Sequence, residues 1–273
     1  MIEWNVSPEI FRIGPFALRW YSLGFVISFL LGYYIMRHIF KLEKKPETYV
    51  DDLFVYVFLG TIIGARLGHC LFYDLDYYLK NPLEILMIWH GGLASHGAAI
   101  GILTALYLLV KKKKEFSFLW ILDRVVIVVA LSGFFIRLGN LFNSEIYGKP
   151  THVPWAFVFK KIDNLPRHPT QIYEALAYII IFFILYRIYL NKRSSLREGT
   201  LFGLFLITVF TFRFFVEFFK ENQSAWESSL PLNMGQILSI PFVLIGIYIM
   251  MTAKAVPPKA AGKPLPKSRQ EKK

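Results

Sequence analysis

The chain has 273 residues, 55% hydrophobic and 17% aromatic, with a net charge of +12 and a mean hydropathy of +0.44. That composition excludes an ordinary soluble domain and a disordered chain, both of which carry far less apolar side-chain surface. The positive charge does not make a nucleic-acid binder either, because the basic residues alternate from loop to loop instead of covering one face.

Seven apolar runs approach or exceed the ~20 residues that cross ~30 Å of hydrocarbon. They are residues 20–36, 50–72, 93–110, 116–142, 172–190, 199–219 and 234–251. No basic, apolar and small-residue leader precedes the first run, so no cleaved signal peptide is expected and the first helix does the targeting. The second run carries Gly60, Gly64 and Gly68 at four-residue spacing, a pattern suited to close helix packing. It also holds Arg66, His69 and the lone Cys70, read as buried filler without a disulfide partner. Residues 73–90 then form a connection with a short interfacial helix expected at 83–89.

His96 lies about one turn into the third run. In the fourth, Asp123 and Arg124 near its start read as structural, while Arg137 and Asn140 near its end share a helix face at i,i+3. Residues 143–170 are the longest connection and are expected to fold as a small cap. The sixth run carries Arg213 and Glu217 at i,i+4. Beyond the seventh, residues 254–273 are basic and rich in Pro and Gly, and are expected to be disordered and to touch anionic lipid.

Orientation follows from charge. One set of connections, with the tail, holds nineteen Lys and Arg and the opposite set holds eight. The positive-inside rule therefore sets the N-terminus outside and the C-terminus in the cytoplasm. The expectation is an all-α polytopic membrane protein of seven transmembrane helices, with residues 1–253 forming one catalytic domain under an extracytoplasmic cap. His96, Arg137, Asn140, Glu145, Arg213 and Glu217 then share one depth near the outer face. An arginine at mid-bilayer costs ~2.5–3.5 kcal/mol on insertion scales, so residues of this kind are usually paired, water-lined or functional. Two guanidinium groups, an imidazole and carboxylates suit an anionic, phosphate-bearing amphiphile. An anion or lipid-headgroup transporter and a non-catalytic scaffold remain as alternatives, although neither repeated halves nor a polar path to the cytoplasm is visible.

Seven ordered motifs go further: ALRWYSLGF, GARLGHCLFYD, WHGGLASHGAAIG, IRLGNLFNSEIYGK, RHPTQIYE, FRFFVEFFK and MGQILSIP. Together the chain resembles the bacterial prolipoprotein diacylglyceryl transferase family. The resemblance implies an inner-membrane enzyme that moves the diacylglyceryl group of phosphatidylglycerol onto the lipobox cysteine of a prolipoprotein signal peptide. Glycerol phosphate is released, and no cofactor, metal or nucleic acid is implied. The family's functional residues fall on Tyr21, His96, Arg137, Asn140, Glu145, Gly148, Arg213 and Glu217. In that scheme His96, Arg137, Arg213 and Glu217 are catalytic. Tyr21, Arg137, Asn140, Glu145, Gly148 and Arg213 bind substrate. His96 is the first choice of base for the thiol, with Glu217 or Glu145 as rival or orienter, and Gly148 is read as permitting a tight turn. Two positions depart from the family pattern: Val209 stands where a tyrosine is frequent, and HGAA stands where HGG is usual.

Overall fold

Each of the seven apolar runs is helical in the computed structural model, which describes residues 1–14, 16–221 and 230–253. The long helices are α1 (Trp20–Leu42), α2 (Thr48–Phe72), α4 (Ser95–Lys113), α5 (Phe118–Asn143), α6 (Thr170–Lys192), α7 (Thr200–Val216) and α8 (Met234–Thr252), with a short α3 (Leu75–Lys80) after α2. Six meet the length and apolarity of a membrane span. The exception is α4, which opens on Ser95, His96 and Gly97 and closes on Lys111, Lys112 and Lys113, leaving too short an apolar middle. The basic tail expected at 254–273 lies outside the described residues.

Helix pairing follows from side-chain size. Gly60, Gly64 and Gly68 of α2 face Gly97, Gly101 and Ala105 of α4, and a Cβ on Gly60 would come within 2.7 Å of the Gly101 carbonyl oxygen. The backbones therefore touch directly, as the glycine spacing leads one to expect. On the other side α5 packs against α1 and α6, and α7 against α8. The main buried core includes the region where α1 and α4 end and α2 and α5 begin, with Ile39, Phe40, Leu106, Leu109 and Ile121 fully buried. Inside a bilayer such packing gains mainly dispersion contact, since lipid tails are already apolar.

Polar residues at this basic end are structural. Arg124 donates to Glu43 at 3.0 and 3.2 Å and lies over the Trp120 ring. Asp123, fully buried in α5, accepts the backbone N–H groups of Gly199 and Phe202, each at 2.8 Å. It thus caps α7, which has no side-chain cap of its own. Cys70 is free and buried.

The opposite end adds a few short strands to the all-helical body. Strand β1 (Ile2–Trp4) runs parallel to β4 (Phe157–Phe159), which pairs antiparallel with β5 (Pro166–Arg167). A second hairpin joins β2 (Glu9–Ile13) to β3 (Phe16–Arg19). Phe157, Val158 and Phe159 are buried, so their backbone groups need a strand partner, and the N-terminus supplies it. Trp4 then donates its indole N–H to the Leu141 carbonyl at 3.0 Å, stitching the sheet to the end of α5.

The interfacial helix expected at 83–89 is instead two 3-10 turns, Pro82–Leu86 and Ile88–His90. Buried Arg66 is the reason. Its guanidinium takes the carbonyls of Glu84 and Ile85, which an α-helix over 83–89 would need for itself, together with those of Met87, Gly91 and Gly92.

Candidate active site

The last turn of α5 carries Arg137 and Asn140 on one face. Ser144 closes the helix in the left-handed region at φ 56°, and Ile146 adopts φ 56° two residues later. These two reversals fold Glu145 back over the helix end. Arg137 donates to the Asn140 amide oxygen at 3.2 Å, and the Asn140 amide donates to Glu145 at 3.3 Å. Asn143 donates to the other Glu145 oxygen at 3.3 Å, and Gln171 holds the Glu145 backbone carbonyl at 2.6 Å.

A second group joins from α6 and the end of α7. Nε of Arg137 lies 3.2 Å from Glu174, which also accepts from Lys220 at 2.9 Å. Lys220 donates to Glu217 at 3.0 Å, and Asn233 donates to the other Glu217 oxygen at 3.2 Å. Arg213 comes no closer than 3.6 Å to Glu217, and its buried Nε has no hydrogen-bond partner among the described residues. The expected Arg213–Glu217 pair is therefore one loose contact in a ladder of alternating charge, Arg137, Glu174, Lys220, Glu217 and Arg213. Glu217 has moreover left the α-helix and starts a 3-10 turn. Glu174 and Lys220 are almost fully buried, while the Arg213 side chain is 36% exposed.

Two glycines make room for this arrangement. A Cβ on Gly235 would meet the Glu217 carboxyl at 2.5 Å. One on Gly148 would meet His168 Cβ at 2.5 Å and the backbone oxygens of His168 and Phe219 at 2.7 Å. Gly148 is thus not the turn residue that the sequence suggests, since the left-handed positions are Ser144 and Ile146; it permits close approach of two backbones. Gly148 forms an isolated antiparallel bridge to Lys220, with Lys149 N–H on the Phe219 carbonyl at 2.8 Å. Arg167 supports the same loop, donating to the Gly148 carbonyl at 3.2 Å, to Glu221 at 2.7 Å and to Asp163. That bond holds the Asp163 carboxyl below its ordinary range. Nearby, burial lowers the His168 imidazole below its usual value.

Tyr21 and His96 stand apart from the ladder. The Tyr21 ring lies on Gly139, next to Asn140, and makes no hydrogen bond to a described residue. His96 is exposed on α4, with its ring 5.5 Å from Phe72 and 5.6 Å from Tyr73 and no bond to Arg137 or Arg213. Beside the ladder an apolar cavity of about 620 Å³ opens between α6 and α7, and Phe212 and Phe215, one residue before and two after Arg213, help to line it.

Glu174, Lys220 and Asn233 were missed from the sequence. Glu174 was legible, as the one acidic residue of a long apolar helix, which is a functional signal by itself. Lys220 and Asn233 read as loop residues and carry no such signal.

Residues 8–252 match the family model for prolipoprotein diacylglyceryl transferase. The chain is 50% identical over 249 residues to the phosphatidylglycerol–prolipoprotein diacylglyceryl transferase of Chloroherpeton thalassium, covering 91% of this chain and 93% of that protein. It is 49% identical over 251 residues to the protein of the same description in Tolumonas auensis, covering 92% and 97%. A Rhodospirillum rubrum protein so described is 40% identical over 261 residues, covering 93% and 95%.

Proposed function

The chain belongs to the prolipoprotein diacylglyceryl transferase family, and from that premise we propose that it moves the diacylglyceryl group of phosphatidylglycerol to the lipobox cysteine of exported prolipoproteins. A carbon–sulfur bond forms and the carbon–oxygen bond to phosphate breaks. Glycerol phosphate leaves with the bonding electron pair. The observation that carries the reading is the pair of guanidinium groups, Arg137 and Arg213, tied into one ladder in which the Nε of Arg213 is buried without a hydrogen-bond partner among the described residues. A lipid phosphate supplies an anion for the two guanidinium groups. Fixed donors around a departing phosphate stabilise the charge that develops there, most strongly away from water.

The remaining roles follow from surroundings. A cysteine thiol, pKa ~8.5, is mostly protonated at neutral pH and needs a base. His96 takes that role: its imidazole is exposed and hydrogen-bonds to no described residue, so a lone pair is free. Glu217 is committed to Lys220 and Asn233, and Glu145 to Asn140 and Asn143, which suits both to orienting neighbours. Asn140 and Tyr21 contact the headgroup, and Gly148 keeps the backbone under Lys220 in register.

The protein works in the bacterial inner membrane, as one domain over residues 1–253 with the site toward the outer leaflet. The nineteen-to-eight charge split supports seven crossings with the N-terminus and the 143–170 cap outside and the C-terminus in the cytoplasm. Family membership favours transfer over the transport reading. Purified protein incubated with phosphatidylglycerol and a lipobox peptide tests this: the peptide should gain one diacylglyceryl mass. An unmodified peptide, with active relatives as controls, would overturn it.

A further inference from the structure

We propose that Lys220 is a positioning residue that keeps Arg213 available to an anionic headgroup by occupying the carboxylate of Glu217; the inference rests on the transferase reading above. An arginine one helical turn from a glutamate in a low-dielectric site ordinarily closes on it as a bidentate pair. Arg213 does not. Its Nε stays 3.6 Å from Glu217 and finds no acceptor among the described residues, although that nitrogen is buried. Glu217 is already satisfied: Lys220 sits 3.0 Å from one oxygen and Asn233 donates to the other at 3.2 Å. The fork of Arg213 is therefore left for a ligand.

Lys220 is held to this task from two sides. Its ammonium also donates to Glu174 at 2.9 Å, so it is shared between the carboxylate that anchors Arg137 and the one beside Arg213. Its backbone is fixed as well, by the bridge to Gly148 and by the Glu221 N–H on the Tyr147 carbonyl at 3.3 Å. The side chain is only 2% exposed, so it is not itself a headgroup ligand. Without the ammonium, Glu217 has a free oxygen facing Arg213, and the two close on each other.

The test compares Lys220→Met, Lys220→Gln and Lys220→Arg with the parent, per mole of monodisperse protein in mixed micelles. Two quantities are read: the KM and kcat for phosphatidylglycerol, and the thermal stabilisation given by phosphatidylglycerol over phosphatidylethanolamine. The neutral variants should raise KM about tenfold or more, lower kcat as well because Arg213 also meets the departing phosphate, and lose most of the lipid-specific stabilisation, whereas Lys220→Arg keeps all three near parental. Gln is polar but offers only a neutral amide, a weaker partner for Glu217 than the Arg213 guanidinium, so it keeps the test open if Met fails to accumulate. A folded neutral variant with parental KM and stabilisation overturns the proposal. So does failure of both neutral variants to accumulate beside a parental Lys220→Arg, because the ammonium is then only structural. If the parent transfers nothing, the transferase reading falls and the stabilisation measurement still decides the role of Lys220.

Discussion

The Nε of Arg137 lies 3.2 Å from the carboxylate of Glu174, across the boundary between α5 and α6. With Nη1 given to Asn140, the guanidinium is held by one hydrogen bond on its own helix and one ion pair across to the next. A substrate phosphate meets it without reorganisation, which is where such a group is most effective.

Arg137→Lys should therefore be almost as damaging as Arg137→Ala. One ammonium cannot serve Glu174, Asn140 and a phosphate together, and we expect transfer to fall by ~100-fold or more. Rates measured at matched protein level decide this; near-parental transfer by the lysine variant would reduce Arg137 to a generic positive charge.

Exchanging the charges in Arg213→Glu with Glu217→Arg should abolish transfer. The exchange moves a cation about one turn, ~5–6 Å, and sets it against Lys220, while positioning is lost with shifts near ~1 Å. Yield should drop too, since a like charge replaces the Lys220–Glu217 bond. Diacylglyceryl transfer within about threefold of the parent would show that the two residues serve only each other.

Gly148→Ala should lower both stability and rate. The added methyl meets two backbone carbonyls, so accommodating it costs on the order of 1–3 kcal/mol of overpacking. A fall in thermal midpoint with a matching loss of specific activity is expected. An unchanged midpoint would mean that the His168 and Phe219 backbones can separate freely.

His168 gives the folded protein a pH dependence whose sign is fixed. Burial lowers its pKa in the folded chain, while the unfolded value stays at ~6.5. As pH falls through that value the unfolded chain takes up a proton and the folded chain does not, so stability falls until the lowered folded pKa is reached. The thermal midpoint of the parent should therefore drop between pH 7 and 5.5, and that of His168→Gln should drop less. Parallel curves would assign the pH dependence to other groups.

Much of this was legible in the sequence, for identifiable reasons. Helix positions came from long apolar runs, and α2–α4 packing from the spacing of Gly60, Gly64 and Gly68. The pairing of Arg137 with Asn140 followed from helical geometry alone. What escaped depended on contacts remote in sequence. Strand β1 forms only because β4 offers it an edge, and residues 83–89 are kept from an α-helix by Arg66. Glu217 turned to Lys220 and Asn233 because the chain leaves the α-helix there, a change that the i,i+4 rule does not anticipate. His96 lies outside the ladder because α4 pairs with α2, a lateral choice that depth along the membrane does not encode.

The cap that Asp123 places on α7 also acts as a ruler. Arg137 follows Asp123 by fourteen residues along α5, and Arg213 follows Gly199 by fourteen along α7. Both helices run the same way from that hydrogen bond, so at 1.5 Å per residue each guanidinium-bearing residue stands ~21 Å from a common origin. Two arginines far apart in sequence are thus brought level by a junction at the far end of the molecule. Slipping α7 by a single residue would rotate Arg213 by about 100° away from its neighbours.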